Sequence, residues 1–232
     1  MENSVVIKTE SLFRKFPMGK GEFTALNGID LQLIQGEFAG LVGPSGSGKT
    51  TLLNIIGSLD VPTSGKATVL GQSIGDLSAK EAARLRKTQL GFIFQSYNLL
   101  AVHTVWENIE FPLLLLNYTA AQRKELVTDA IEWVGLTDKI KSRPPQLSGG
   151  ECQRVAIARA MVKKPSIVLA DEPTANLDAE NSFNILETME MLNRQLSTTF
   201  LFATHDEKVI SYLRRKIFLR DEKIDREEIK PN

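Results

Sequence analysis

The sequence predicts an α/β protein: a mixed, largely parallel sheet with a helical subdomain inserted into it. Three observations carry that reading. FAGLVG is an apolar run of buried-strand type, followed by a glycine-rich loop and the helically spaced KTTLLNIIGSL, which stops near Gly57. SIVLADE and TTFLFATH are further apolar runs, each preceded by a helical segment, GECQRVAIARAMVKK and AENSFNILETMEMLNRQL. Between Gln95 and Pro145 the pattern is helical with no convincing strand, until SRPPQ breaks it.

Taken in order, SVVIKTESL and IDLQLIQGEF open the chain as strand-like segments, and FAGLVG with its helix is the first βα unit. GKATVLG and LGFIFQ are the next strand candidates. NIEFPLLLLNYTAAQRKELVTDAIEWVGLTDKI supplies the helical insert, and two helix-strand pairs complete the sheet. The ending RDEKIDREEIKPN has mixed charge and is expected to form a solvated surface. A single domain over 1–232 follows, with an α/β core at about 1–95 and 165–232 and a helical subdomain at about 96–164.

The bulk numbers exclude several classes. The 232 residues carry 28 Lys plus Arg and 28 Asp plus Glu, a net charge of zero, so a nucleic-acid partner is not expected. The one cysteine, Cys152, allows no intramolecular disulfide and fits a reducing compartment. The opening MENSVVIKTE lacks a basic segment followed by an apolar core, so no secretion leader is expected. FPLLLL at 111–116 falls far short of the roughly 20 apolar residues of a membrane helix.

GPSGSGKT at 43–50 fits G-x-x-x-x-G-K-[ST], between the expected strand and helix. Its glycines let successive N–H groups face inward as an anion nest, and the helix adds its positive end. Lys49 supplies a charge for β- and γ-phosphates, and the Thr50 hydroxyl a ligand for Mg²⁺. The plain alternative is a glycine-rich turn with a chance lysine. At SIVLADEP the strand ends in Asp171 and then Glu172, whose side chains should face different surroundings. One carboxylate can help hold Mg²⁺ and the other can orient or deprotonate the attacking water, unless DEP merely starts a turn. Gln95 and His205 also close apolar strands, expected on the same edge as the loop, where open α/β sheets bind ligands. Gln95 is placed to touch Mg²⁺ or the lytic water, and His205 the γ-phosphate; otherwise both are strand-terminal polar groups reaching water.

LSGGECQR at 147–154 stands at the mouth of a helix. Ser148 and Glu151 make an S-x-x-E capping box, which explains those two residues. Gly149 and Gly150 cost helix stability and leave the backbone open, and an anion docked on the bare N–H groups would explain all four positions.

GPSGSGKT, Gln95, LSGGE, VLADEP, ANLD (175–178) and His205 occur in the order, and at about the distances, of the ATP-binding cassette ATPases. The chain resembles that family over nearly its whole length, and LSGGE is the element that other phosphate-loop enzymes, small-molecule kinases among them, lack. The resemblance implies a P-loop NTPase core with an antiparallel N-terminal β part, and ATP with Mg²⁺ as cofactors. Gly43, Pro44, Ser45, Gly46, Ser47, Gly48, Lys49, Thr50 and Thr51 resemble the Walker A loop, and Ser166 to Asp171 the Walker B strand. Glu172 matches the general base, Gln95 the Q-loop glutamine, Asp178 the D-loop aspartate and His205 the switch histidine. Asp171, Thr50 and Gln95 are then the metal's neighbours. Phe16 looks like the aromatic that stacks on adenine, with an ordinary core aromatic as its alternative. The resemblance further implies a head-to-tail homodimer, in which Ser148, Gly149 and Gly150 of one copy close over the γ-phosphate held by the other.

LNIIGSLDVPTSG, LSGGE-x-QRVAIARA, VLADEPTANLD and THD look like the lipoprotein-releasing and macrolide-export group. Cys152 departs from that group's usual glutamine or arginine and is assigned no catalytic role. The group implies an ATPase peripheral to the cytoplasmic side of the inner membrane, docked on permease subunits. The docking surface is expected from Ser96 to His103, with Tyr97 and Leu99, and at Trp106, which is otherwise core packing. Family members acting on DNA or the ribosome are a different class. The former separate the phosphate loop from the Asp-Glu strand by long coiled coils, and the latter carry two cassettes per chain.

Overall fold

The computed structural model describes residues 4–19 and 21–230. Two sheets form. The smaller, in order β2-β1-β4-β5, joins β1 (Val5–Met18), β2 (Gly21–Ile34), β4 (Ser64–Val69) and β5 (Gln72–Ser73), all antiparallel. The larger runs β10-β9-β3-β8-β7-β6. In it β9 (Arg215–Arg220), β3 (Phe38–Val42), β8 (Thr199–Thr204), β7 (Ile167–Asp171) and β6 (Leu90–Phe94) are parallel, and β10 (Lys223–Ile229) is antiparallel on β9. This is the expected fold class.

The central strands are apolar throughout because both faces of the sheet are covered. Every residue of β3 and β8 is buried. Alternate side chains enter two different cores. Phe38, Val42, Phe200 and Phe202 face one, with α5 (Gly149–Met161), α6 (Ala179–Leu196) and the inserted helices α3 (Val105–Leu114) and α4 (Ala120–Trp133). Ala39, Leu41, Leu201 and Ala203 face the other, with α1 (Lys49–Ile56) and the small sheet. Phe38 and Phe202 lie with ring centroids 4.8 Å apart, and truncating either to alanine would cost about 3–5 kcal/mol.

At four segments the structure goes beyond the expectations. IDLQLIQGEF is not one strand: the chain turns at Gly36, φ 80°, and Phe38 opens the central sheet instead. The helical insert is two helices, each started by a threonine capping box at Thr104 and Thr119, with a break at 115–119. A helix over Ala79–Thr88, α2, stands in a stretch that the apolar periodicity leaves blank, since only Leu85 on it is buried. Its Ser78-x-x-Glu81 capping box was the available signal. The charged tail is exposed, as expected, but it is a strand, β10, whose mixed charges blunt the sheet edge.

Candidate active site

Parallel pairing sets the site by register. Val42 pairs with Thr204, Asp171 with Ala203, and Phe94 with Asp171. The four strands therefore end at one edge of the sheet, Asp171 and Phe94 level with Ala203 and Leu41, and Val42 and Thr204 one register step further on. Gly43, His205, Glu172 and Gln95 are each the first residue beyond the end of its strand. Open parallel sheets leave such a crevice for ligands.

Beyond β3 the loop turns through Gly46 (φ 83°) and Gly48 (φ 95°) into α1. At Gly48 a Cβ would fall 2.4 Å from the Ala25 carbonyl oxygen of β2, so the left-handed turn and the close approach both demand glycine. Gly48 caps α1 without a side-chain acceptor, leaving the first N–H groups of the helix for a ligand. Pro44, Ser45 and Gly46 are exposed, and Thr51 is half-buried on α1. Lys49 is buried and folds back on the loop, donating to the Gly43 carbonyl (2.7 Å) and the Pro44 carbonyl (2.8 Å). Ser47 Oγ is buried with no partner among the described residues, an orphan group inside the cradle.

Thr50 Oγ1 donates to Asp171 Oδ1 at 3.2 Å, which joins the loop to β7. Burial holds the Asp171 carboxyl above its usual range; the Thr50 bond opposes this, neighbouring Glu172 adds to it, and Lys49 opposes it. Burial likewise lowers the Lys49 ammonium, against the pull of Glu172 and Asp171. These carboxylates and this ammonium thus share one desolvated space. Glu172 lies just past the strand with φ 46°, so a left-handed turn as well as strand alternation sends the two carboxylates apart. Its Oε2 accepts from Thr204 Oγ1 at 3.2 Å, and its Oε1 lies 2.5 Å from His205 Nδ1. Thr204 also accepts from the Asp206 N–H, and Thr174 donates to Asp206, so two threonines and an aspartate frame the glutamate. Sequence reasoning missed this frame; the THD run beside the histidine was the signal.

Gln95 is exposed, and its main-chain carbonyl accepts from Asn176 Nδ2 at 2.8 Å. Asp178 is the N-cap of α6, accepting from the Asn181 N–H and the Asn181 amide, both at 2.8 Å. Those hydrogen bonds hold its carboxyl below the usual range. Phe16, on β1, is half-buried and pairs with Phe23, two positions from the Ala25 that abuts the loop. The Arg14 guanidinium lies 4.4 Å over its ring.

The helix mouth at 148–150 is exposed at Ser148 and Gly149. The capping box forms: Ser148 Oγ accepts from the Glu151 N–H, and the Glu151 carboxylate from the Ser148 N–H at 2.7 Å. A docked anion is not needed to explain Gly150, however. A Cβ there would fall 2.5 Å from Asn181 Oδ1, so packing of α5 on α6 already favours glycine, a larger residue having to displace the Asn181 side chain. Gly149 has more room, its nearest neighbour being the Tyr97 hydroxyl at 3.1 Å from such a Cβ. Buried Gln153, which the sequence reading passed over, donates to the Pro173 carbonyl at 2.6 Å and ties this helix to the Glu172 turn.

A groove of about 480 Å³ opens beside the 96–98 turn, lined by Leu59, Phe94, Phe111, Leu115, Arg159 and Lys163 among others, and by no acidic residue. Leu100 and Val102 are exposed on the same segment, whereas Trp106 is half-buried and packs against the core. Trp106 thus has the core packing that was the alternative to its place on a docking surface.

Comparison with known proteins agrees with this geometry. The family model described as ABC transporter matches residues 26–175. The lipoprotein-releasing system ATP-binding protein LolD of Pseudoalteromonas translucida (strain TAC 125) is 44% identical over 222 residues, 96% of each chain. LolD of Legionella pneumophila (strain Lens) is 39% identical, covering 94% of this chain and 96% of that one. Among solved structures, a dimeric post-hydrolysis state of the ATP-binding cassette MJ0796 bound to ADP and Pi has a TM-score of 0.89. It is 36% identical and covers 97% of this chain and 99% of that one. The cbiO1 chain of Clostridium perfringens, part of an ABC transporter complex, has a TM-score of 0.87 at 26% identity, covering 97% of this chain and 88% of that one. With the family model running from the phosphate loop through Asp171 and Glu172, and near-full-length likeness to these cassettes, the chain is an ATP-binding-cassette ATPase of the ABC transporter family.

Proposed function

We propose that this chain is the ATP-hydrolysing subunit of a lipoprotein-releasing type of transporter, working as a head-to-tail homodimer on the cytoplasmic side of the inner membrane. The observation that carries the reading is that β3, β6, β7 and β8 end within one register step of each other at the same edge of the sheet, with Gly43, Gln95, Glu172 and His205 as the residues that follow them. The names of the LolD relatives support the transport class. Among the described residues no helix is long and apolar enough to cross a membrane, which fits a subunit docked on permeases.

In this reading the N–H groups from Gly46 to Thr50, with Lys49, bind the phosphates of ATP, and Phe16 faces adenine. Thr50 and Asp171, hard oxygen donors bonded to each other, suit Mg²⁺, with Gln95 as a further neighbour. No group of three metal-binding side chains occurs among the described residues, which fits a Mg²⁺ that keeps water and phosphate ligands. When bound, the ion neutralises charge on the phosphates. Glu172 takes the proton of the attacking water, with Thr204 and His205 fixing its carboxylate. Ser148, Gly149 and Gly150, with Asp178, reach the nucleotide of the partner copy. The core at about 1–95 and 165–232 holds ATP, and the helical subdomain at about 96–164 meets the permease in the basic, apolar groove.

Affinity purification of the tagged chain from detergent-solubilised membranes tests this. An integral membrane subunit that co-purifies and stimulates ATP hydrolysis is the expected result. Ribosomes or DNA in its place would assign the chain to the other class of family members.

A further inference from the structure

The 96–98 turn is strained; Ser96 Oγ donates to Asn98 Oδ1 at 3.0 Å within it, Asn176 holds the Gln95 carbonyl before it, and one side chain from α5 binds two of its carbonyls. Tyr97 and Asn98 are consecutive residues with left-handed backbones, φ 61° and 50°. Asn98 N–H donates to the Ser96 carbonyl at 2.6 Å, a three-residue turn of the kind that is rare because it is strained. Asparagine tolerates this region, but tyrosine does not adopt it without compensation. Arg159, one turn before the end of α5, supplies that compensation. Its Nη2 donates to the Tyr97 carbonyl at 2.7 Å and its Nη1 to the Asn98 carbonyl at 2.6 Å. Burial lowers the guanidinium pKa, and no carboxylate among the described residues pairs with it.

Arg159 thus stands on the helix whose opposite end carries Ser148 and Gly149, and it grips the turn that begins one residue after Gln95. The Tyr97 hydroxyl lies beside Gly149, at the other end of α5. Lys163, in the turn just after α5, grips the end of α2 in the same manner, donating to the Arg86 and Lys87 carbonyls at 2.7 and 2.9 Å. The end of α5 and the turn after it therefore hold both walls of the groove through half-buried cations.

We propose that Arg159 is a positioning residue for ATP hydrolysis: its two-pronged hold on Tyr97 and Asn98 keeps Gln95 at a fixed place relative to the serine-glycine helix. The proposal rests on the reading of Gln95 as part of the reaction site. A guanidinium offers two donors at fixed spacing and an ammonium only a point, so Arg159→Lys keeps the charge and loses the double hold.

The test combines hydrogen exchange over residues 95–99 with steady-state hydrolysis for Arg159→Lys, Gln95→Ala and the double variant. Arg159→Lys is expected to exchange about tenfold faster there, and to lose about tenfold in kcat with KM for ATP within about twofold. The double variant is expected to be no slower than Gln95→Ala alone, because both changes act through one residue. Parent-like exchange, or losses that multiply in the double variant, would overturn the proposal. Gln95→Ala at the parent rate would instead remove Gln95 from the reaction, while the exchange measurement still decides whether Arg159 holds the turn. Arg159→Gln, without the buried charge, guards against a folding defect peculiar to lysine and should exchange as Arg159→Lys does.

Discussion

The Nδ1 of His205 and the Oε1 of Glu172 stand 2.5 Å apart, while the other oxygen of that carboxylate accepts from Thr204. Both oxygens of the expected base are thus engaged, and its backbone is fixed in a left-handed turn. Glu172→Gln keeps the shape and removes the proton acceptor. It should bind MgATP as the parent does, hydrolyse about 10²–10⁴-fold more slowly, and accumulate as nucleotide-bound dimers in sedimentation experiments. His205→Ala removes only a holder and should lose less.

Burial of Asp171, proposed to lie beside Mg²⁺, costs the fold stability at neutral pH. Burial raises its carboxyl pKa above the unfolded value, so the folded chain binds this proton more readily than the unfolded chain does. Stability from this group is present at low pH and is lost as pH rises through the window between the two values. At neutral pH, Asp171→Asn should therefore raise the melting temperature by about 2–4 °C while abolishing hydrolysis. The stability difference should shrink as acid protonates the parent carboxyl, which calorimetry across pH would show.

Gly149 and Gly150 separate local packing from partner contact. Gly150→Ala should destabilise the monomer by about 1–3 kcal/mol through its clash with Asn181, and Asn181→Ala should recover part of that loss. Ser148→Arg should cost about 1 kcal/mol as a lost cap, leave nucleotide binding to the monomer intact and prevent dimer closure. Denaturation and nucleotide titration, run side by side, distinguish these outcomes.

Phe111 stands exposed at the groove. Phe111→Asp should leave hydrolysis by the isolated chain within about twofold of the parent and abolish recovery of the membrane subunit, since a buried unpaired carboxylate opposes docking. Unchanged recovery would move the docking surface elsewhere, as would unchanged coupling in Tyr97 and Leu99 variants.

The large sheet and the strand ends were legible because apolar runs such as SIVLAD and TTFLFAT are continuous only when both faces are buried. The phosphate loop was legible because its glycines, lysine and threonine act within eight residues. What stayed hidden depends on distant contact. The Asn181 amide that occupies the space at Gly150 lies on another helix, and Arg159 reads as one more charge in a helical pattern until its carbonyl partners are seen. Strand β10 was hidden for a different reason: an edge strand with charges on both faces shows no alternation to detect.

That outermost strand also limits how copies can meet. Lysine, arginine, aspartate and glutamate on its seven residues make it a poor template for a further ribbon, so a neighbouring molecule gains little by zipping onto the sheet side by side. Growth into fibres is discouraged along this edge.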